Sequence, residues 1–136
     1  MTRIPVTLFT SGILGILCVL LSFLVSLARN KSKTLLGDGA GNPQAASLLP
    51  AIRAQGNFIE YVPLALILLG GIEVSGATRL TCEIFAGLLI LARIAHAIGI
   101  RLAGPHPLRA FGALLTWLVI LGLSIEALLL LMEYPA

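Results

Sequence analysis

Charged side chains are scarce in this sequence. Asp, Glu, Lys and Arg make up 11% of the 136 residues, whereas hydrophobic residues make up 58%. A soluble globular domain carries roughly 25% charged residues, so the composition excludes that class and predicts an integral membrane protein. The length allows one domain, covering residues 1–136.

Residue spacings typical of metal sites and patterns typical of nucleic-acid binding are also missing. The cysteines, Cys18 and Cys82, and the histidines, His96 and His106, stand at no spacing typical of a metal site, so we expect no metal. The net charge of +3 comes from cations scattered at the ends of apolar runs. No basic patch interleaved with aromatics is present, and we expect no nucleic-acid partner.

The chain does contain four apolar segments long enough to cross a bilayer, which takes about 20 helical residues. The first, residues 4–28, carries no charge, and we expect it to remain as an uncleaved span. Loop signals follow at residues 34–46, 75–77 and 104–107. The sequence therefore predicts an all-α integral membrane four-helix bundle, with spans at about residues 4–28, 47–74, 78–100 and 108–132.

The cations are unevenly divided between the two ends of these predicted spans. Arg3 and Arg79 fall at one end, and seven cations fall at the other: Arg29, Lys31, Lys33, Arg53, Arg93, Arg101 and Arg109. Cytoplasmic loops are enriched in Lys and Arg, so we expect the first and third loops inside and both termini on the non-cytoplasmic side. The start of helix two, the end of helix three and the start of helix four then meet at the cytoplasmic end.

The second span has a polar face at membrane depth. On a helix that turns by about 100° per residue, Arg53, Asn57 and Glu60 fall within about 60° of one another, and Gln55 points the opposite way. An ionisable group in a membrane costs about 2.5–3.5 kcal/mol and normally faces a protein interior or a wet cavity. We therefore expect these three side chains to line a cytoplasm-facing site.

Three further polar residues can converge on the same end from helices three and four: Arg93, His96 and Arg109. These residues, and Arg53 as well, also have simpler structural roles. Arg53 and Arg93 can snorkel to the interface, and Arg109 can be a positive-inside anchor. His96 can be a hydrogen-bonding partner between helices.

These residues carry a family resemblance. The run Arg53-Ala54-Gln55-x-Asn57-x-x-Glu60-Tyr61-x-Pro63, then Ala92-Arg93-x-x-His96 and Pro107-Leu108-Arg109, resembles the membrane-associated proteins in eicosanoid and glutathione metabolism, the MAPEG family. The resemblance covers essentially the whole chain. It is closest to the small bacterial members, and it extends to microsomal glutathione transferase and prostaglandin E synthase.

The resemblance implies a homotrimer in the bacterial inner membrane that uses glutathione as a cosubstrate. Glutathione would bind between subunits near the cytoplasmic face, and lipophilic substrates would arrive from the bilayer. Arg109 matches the arginine that stabilises the thiolate and is the implied catalytic residue. The implied glutathione-binding residues are Arg29, Arg53, Asn57, Glu60, Tyr61, Arg93 and His96.

The expected function is glutathione transferase or peroxidase activity on hydrophobic electrophiles or lipid hydroperoxides, a role in detoxification. Glutathione carries two carboxylates and one ammonium, which Arg53, Arg93 and Glu60 can bind. The chain departs from the family pattern at Ile100, where several members carry a tyrosine, and at Ala110, where prostaglandin E synthase carries a serine. The alternative is a non-catalytic lipid- or glutathione-binding scaffold. A small multidrug exporter fits less well, because such exporters need an acid in the first span.

Overall fold

Four long helices make up the computed structural model, which describes residues 3–102 and 106–133. The helices are α1 (Pro5–Ser32), α2 (Leu48–Val74), α3 (Arg79–Gly99) and α4 (Pro107–Glu133). Each is long and apolar enough to cross a membrane, and no strand occurs in the described ranges. The predicted all-α fold with four membrane-spanning helices is therefore confirmed. Of the breaker sequence at residues 104–107, residues 104 and 105 lie outside the described part.

The first helix continues beyond its apolar run. We predicted a span ending at residue 28, and α1 extends one further turn to Ser32. Arg29 and Lys31 lie in this last turn, where cations interact favourably with the carbonyl end of the helix dipole. Lys33 then adopts a left-handed conformation with φ 52° and ends the helix by donating its backbone N–H to the carbonyls of the last turn.

The connections between helices are short or internally ordered. The loop between α1 and α2 contains one 3-10 turn, η1 (Pro43–Ala45). Ser47 occupies the N-cap position of α2, but its side chain makes no capping hydrogen bond. The predicted tight connection at residues 75–77 is present, and Gly76 adopts a φ of 100° there, which glycine tolerates without strain.

Successive helices run antiparallel. Gln55 Nε2 of α2 donates to Ser22 Oγ of α1 at 2.8 Å, so Gln55 does point away from the polar face. Near the other end of the same two helices, Glu73 contacts Thr7. The contacts alternate in this way along the chain, so α1 and α3 end where α2 and α4 begin.

Helices α3 and α4 approach closely at two glycines. A Cβ atom at Gly112 would lie 2.5 Å from the backbone nitrogen of His96, and one at Gly99 would overlap the backbone of Arg109. Small residues at helix crossings let backbones come together in membrane bundles. This crossing fixes the position of His96 relative to Arg109.

Buried apolar side chains from all four helices form the core. The outward faces carry large exposed apolar side chains, as on a bundle surrounded by lipid: Phe9, Ile16, Phe23, Ile67 and Trp117 are examples. The most deeply buried core residues include Leu14, Leu21, Phe58, Leu69, Leu89, Val119 and Leu123.

Candidate functional site

A polar cavity of about 400 Å³ opens at the end of the bundle where α2 and α4 begin. We call it the polar cavity, and its lining is Asp38, Leu49, Ile52, Arg53, Gly56, Asn57, Glu60, His96, Ile100 and Arg109. A larger cavity, of about 490 Å³, lies toward the opposite end between α1 and α3, with mostly apolar walls around Arg79 and Glu83. We take the polar cavity as the candidate site, because it gathers more polar side chains that could bind a ligand than the cavity near Arg79 does.

Helix α2 supplies six of the ten residues that line the polar cavity. Arg53, Asn57 and Glu60 all contribute to the lining, as their helical spacing predicted. Gly56 lies between them and leaves room for a ligand because it has no side chain. Pro63, one turn further along, is tolerated within the continuous helix.

The charged side chains of the polar cavity are not paired with one another. Within residues 3–102 and 106–132, ion pairs closer than 4.0 Å are limited to Arg79 with Glu83, outside the cavity. Two guanidinium groups and two carboxylates therefore share one lining without a mutual ion pair: Arg53, Arg109, Asp38 and Glu60. All four side chains are exposed in the single chain.

Arg93 lies behind the cavity wall. Its side chain is completely buried, so it does not snorkel to the interface. Nη2 donates to Asn57 Oδ1 at 2.9 Å, Nη1 donates to Thr116 Oγ1 at 3.2 Å, and the guanidinium lies 5.6 Å from the centre of the Phe58 ring. Arg93 thus joins α2, α3 and α4, and it holds the amide of Asn57 in a fixed orientation.

Thr116 was missed by sequence reasoning. It is fully buried on α4, and its hydroxyl donates to Gly112 O at 2.7 Å while accepting from Arg93. The available signal was a single threonine within an apolar run, which is too common in membrane helices to single out.

His96 reaches the polar cavity from α3. Its side chain is 3% exposed, and Nδ1 has no hydrogen-bond partner among the described residues. The alternative role of His96, a hydrogen bond to a neighbouring helix, is therefore not fulfilled by this nitrogen. A buried polar atom without a partner beside a cavity is available to a ligand or to water.

Arg29 and Tyr61 are not part of this lining in the single chain. Arg29 lies in the last turn of α1, and its Nη1 donates to three loop carbonyls: Thr34 O at 3.4 Å, Leu35 O at 3.3 Å and Gly37 O at 2.9 Å. Tyr61 is half-buried on α2, next to Glu60. The structure brings Arg53, Asn57, Glu60, His96 and Arg109 together around the cavity.

Asp38 lines the polar cavity although sequence reasoning did not propose it. It belongs to the glycine-rich loop between α1 and α2. Helical periodicity says nothing about such a loop, so its only signal was a carboxylate between two glycines, which is typical of an ordinary turn.

No cluster of three or more His, Cys, Asp or Glu side chains suited to a metal ion occurs in the described ranges. The polar cavity contains Asp38, Glu60 and His96, which do not form such a cluster. The absence of a metal from this protein stays a prediction.

Comparisons with known proteins identify the family. The model of the MAPEG family matches residues 7–129. The inner membrane protein YecN of Escherichia coli is 32% identical over 85 residues, which is 62% of this chain and 62% of that protein, and YecN of a second Escherichia coli strain gives the same values. The match thus spans about three fifths of the relatives' length. No solved structure gives a significant match. The family model matches almost the whole chain, and the chain has four helices of membrane-spanning length. The chain therefore belongs to the MAPEG family, as its motifs indicated.

Proposed function

We propose that the polar cavity binds glutathione, and that the protein transfers the glutathione thiolate to hydrophobic electrophiles or uses it to reduce lipid hydroperoxides. One observation carries the proposal. Two guanidinium groups and two carboxylates line one cavity without an ion pair between them. Charged side chains that surround one cavity without pairing remain available to a ligand, so this arrangement favours a charged ligand. Membership of a family that includes glutathione transferases and peroxidases supports it.

The chemistry of the lining suits glutathione. The tripeptide has two carboxylates, which bind well to planar guanidinium groups, and one ammonium, which binds a carboxylate. Arg53 offers a guanidinium on α2, and Glu60 offers a carboxylate on the same face. A volume of about 400 Å³ lies within the range of about 300–1,000 Å³ typical of small-molecule sites.

Neutral groups of the cavity supply hydrogen bonds to the peptide part of glutathione. Arg93 holds Asn57 Oδ1, so the Asn57 amide at the cavity lining is already oriented before a ligand arrives. His96 contributes through its ring at the wall. Arg29 and Tyr61 lie outside the lining of the single chain. In the proposed homotrimer Tyr61 would contact glutathione only across a subunit boundary, whereas Arg29 acts through the loop that it holds.

Arg109 is the proposed catalytic residue. The thiol of glutathione has a reference pKa of about 8.5, and only the thiolate is a good nucleophile. A guanidinium beside the sulfur favours the anion and lowers that pKa. The thiol proton passes to solvent. The sulfur of the thiolate then attacks an electrophilic carbon of a substrate dissolved in the bilayer and expels its leaving group as an anion. With a lipid hydroperoxide it attacks an oxygen, the O–O bond breaks and the alcohol is released, and the sulfenic acid formed on glutathione reacts with a second glutathione to give the disulfide and water.

A second candidate function is a non-catalytic scaffold that binds glutathione or a lipid. The observation that favours it is Ile100, which lines the polar cavity where several family members carry a tyrosine. An isoleucine side chain cannot donate a hydrogen bond to sulfur. Ala110, beside Arg109, likewise offers no hydroxyl.

The protein is an integral membrane protein, and the relatives it resembles are named inner membrane proteins. We place it in a bacterial inner membrane with the polar cavity facing the cytoplasm. The support is the excess of cations at the cavity end of the chain, which the positive-inside rule assigns to the cytoplasm.

The proposal is tested by calorimetric titration of glutathione into the detergent-solubilised protein and into its Arg53→Ala variant. We expect the unsubstituted protein to bind and Arg53→Ala to bind at least about tenfold more weakly, because it loses a charge-assisted hydrogen bond. Arg101→Ala is the matched control, since Arg101 is an exposed cation at the same end and outside the lining. Absence of binding, or equal effects of the two substitutions, would overturn the proposal.

Turnover separates the two candidate functions. A chlorodinitrobenzene electrophile and a fatty acid hydroperoxide are supplied with glutathione to the protein in lipid vesicles. Consumption of glutathione above the uncatalysed rate supports the enzyme, whereas binding without turnover supports the scaffold.

A further inference from the structure

We infer that Asp38 is a second carboxylate for the ammonium of the bound thiol, and that Arg29 is the residue that positions it. This inference rests on the proposed function and names the group that would select for a free amine. Asp38 lies in the loop between α1 and α2, whereas the other charged residues of the polar cavity lie on helices.

The Asp38 side chain is oriented by its own turn. Its Oδ1 accepts the backbone N–H of Ala40 at 3.0 Å, and no hydrogen bond to Oδ2 occurs within the described ranges. Asp38 is exposed and makes no ion pair with Arg53 or Arg109. One carboxylate oxygen is therefore fixed, and the other is free to accept a hydrogen bond from a ligand.

The loop that carries Asp38 is fastened to the end of α1. Arg29 Nη1 donates to the carbonyls of Thr34, Leu35 and Gly37, the last of them adjacent to Asp38. From the far side of the loop, Asn42 Nδ2 donates to Ser32 O at 3.0 Å and to Thr34 Oγ1 at 3.2 Å.

Glycines on both sides of Asp38 make this path possible. Gly37 and Gly39 have φ values of 75° and 79°, a conformation that residues with a side chain rarely adopt. A Cβ atom at Gly39 would also overlap the side chain of Ala45. The position of Asp38 at the cavity is therefore set by the loop backbone, which Arg29 holds.

Two carboxylates in one lining select for a cationic group. Asp38 and Glu60 carry like charges and line one cavity, so an ammonium bound between them would be attracted by both. An ammonium has three N–H donors, enough for both carboxylates and one further acceptor. A thiol peptide whose amine is acylated offers no ammonium to these carboxylates, so the cavity binds it more weakly.

The test compares the affinities of glutathione and N-acetylglutathione, measured by calorimetry on the detergent-solubilised protein. Asp38→Asn is the informative variant, because Asn keeps the Oδ1 acceptor for the Ala40 N–H and loses only the charge. We expect the unsubstituted protein to prefer glutathione by about tenfold or more, as for a hydrogen bond to a charged group. Asp38→Asn should reduce that preference at least about threefold. The affinity for glutathione should fall, and the affinity for N-acetylglutathione should stay unchanged.

Arg29→Gln tests the positioning role, and Lys31→Gln, which removes an exposed cation in the same helical turn, is its matched control. Arg29→Gln should reduce the preference as Asp38→Asn does, and the double variant should be no worse than either single one, since both act through one loop. Equal weakening of both thiols by Arg29→Gln would mean that Arg29 binds a ligand carboxylate directly, which overturns its positioning role.

The remaining outcomes are separable. An unchanged preference in Asp38→Asn overturns this inference while leaving glutathione binding intact. No binding of glutathione by the unsubstituted protein overturns the proposed function and this inference with it. Thermal unfolding in detergent is followed for every variant. Affinities are compared only among proteins that unfold at the same temperature.

Discussion

The two ends of the helix bundle use their charged side chains in opposite ways. At the end where α1 begins, Glu73 accepts hydrogen bonds from the backbone nitrogens of Val6 and Thr7 and from the Thr7 hydroxyl, at 2.6–2.9 Å. Arg79 and Glu83 pair there at 2.7 Å. At the other end, the four charged side chains of the polar cavity have no such ion pairs.

This comparison distinguishes charged side chains that stabilise the fold from charged side chains that are available to a ligand. The first N–H groups of a helix have no partner within the helix, and Glu73 supplies one for α1 from the end of α2. Its charge is therefore used within the fold. The charges of the polar cavity have no comparable use, which is why the ligand is sought there and not in the larger apolar cavity near Arg79.

The largest effect is expected for Glu73→Ala. Loss of three hydrogen bonds to a carboxylate should lower the free energy of unfolding by about 2–4 kcal/mol, because the first turn of α1 is left without a cap. Unfolding by sodium dodecyl sulfate in mixed micelles, followed by helical circular dichroism, measures the change. Glutathione affinity of the folded fraction should be unaltered, and a weakened affinity with unaltered stability would reverse the assignment of the two ends.

A somewhat smaller effect is expected for Glu60→Gln, and it should fall on ligand affinity and not on stability. It should weaken glutathione binding by about 1.5–3 kcal/mol, the range for a hydrogen bond to a charged group, and leave stability unchanged. Calorimetry and the same unfolding assay measure the two quantities. Affinity equal to that of the unsubstituted protein would show that Glu60 has no ligand contact.

Arg109→Ala should change reactivity more than affinity. Glutathione binding should stay within a few-fold, but the pKa of its bound thiol should rise by about one unit, equivalent to about 1.4 kcal/mol, so that a higher pH is needed to form the thiolate. The measurement is the ultraviolet absorbance of the bound thiolate as a function of pH. An unchanged titration would remove Arg109 from the mechanism.

The smallest effect is expected for Glu83→Gln. Its partner, Arg79, is on the surface and 80% exposed, and exposed ion pairs contribute little to stability. Neither the unfolding transition nor the glutathione affinity should change measurably. A loss of stability matching that of Glu73→Ala would show that the charges at this end act as one network.

Much of the architecture could be predicted from local properties of the sequence. Membrane spans follow from length and apolarity, so α2 and α3 begin and end within one residue of their predicted bounds. The end of α1 was placed four residues too early, because apolarity was taken as its limit. The helix instead continues through a polar turn that is stabilised by its hydrogen bonds and cations.

The candidate site could be predicted only in part. Periodicity placed Arg53, Asn57 and Glu60 on one face because all three lie on a single helix. Periodicity could not predict that Arg93 is buried and His96 lines the cavity, because the two residues lie one turn apart on the same face of α3. The approach of α4 at Gly112 buries Arg93 against Thr116 and leaves His96 at the cavity.

By itself the sequence determined the membrane class, the four helices and the polar face of α2, because each depends on the composition or spacing of residues near one another in the chain. Only the tertiary structure decided which charges have partners. Glu73 finds its donors 66 and 67 residues away, and Arg93 finds Asn57 at a separation of 36. Asp38 reaches the cavity through a loop that Arg29 holds. Such contacts depend on how the helices cross and how the loop folds back, which no local pattern specifies.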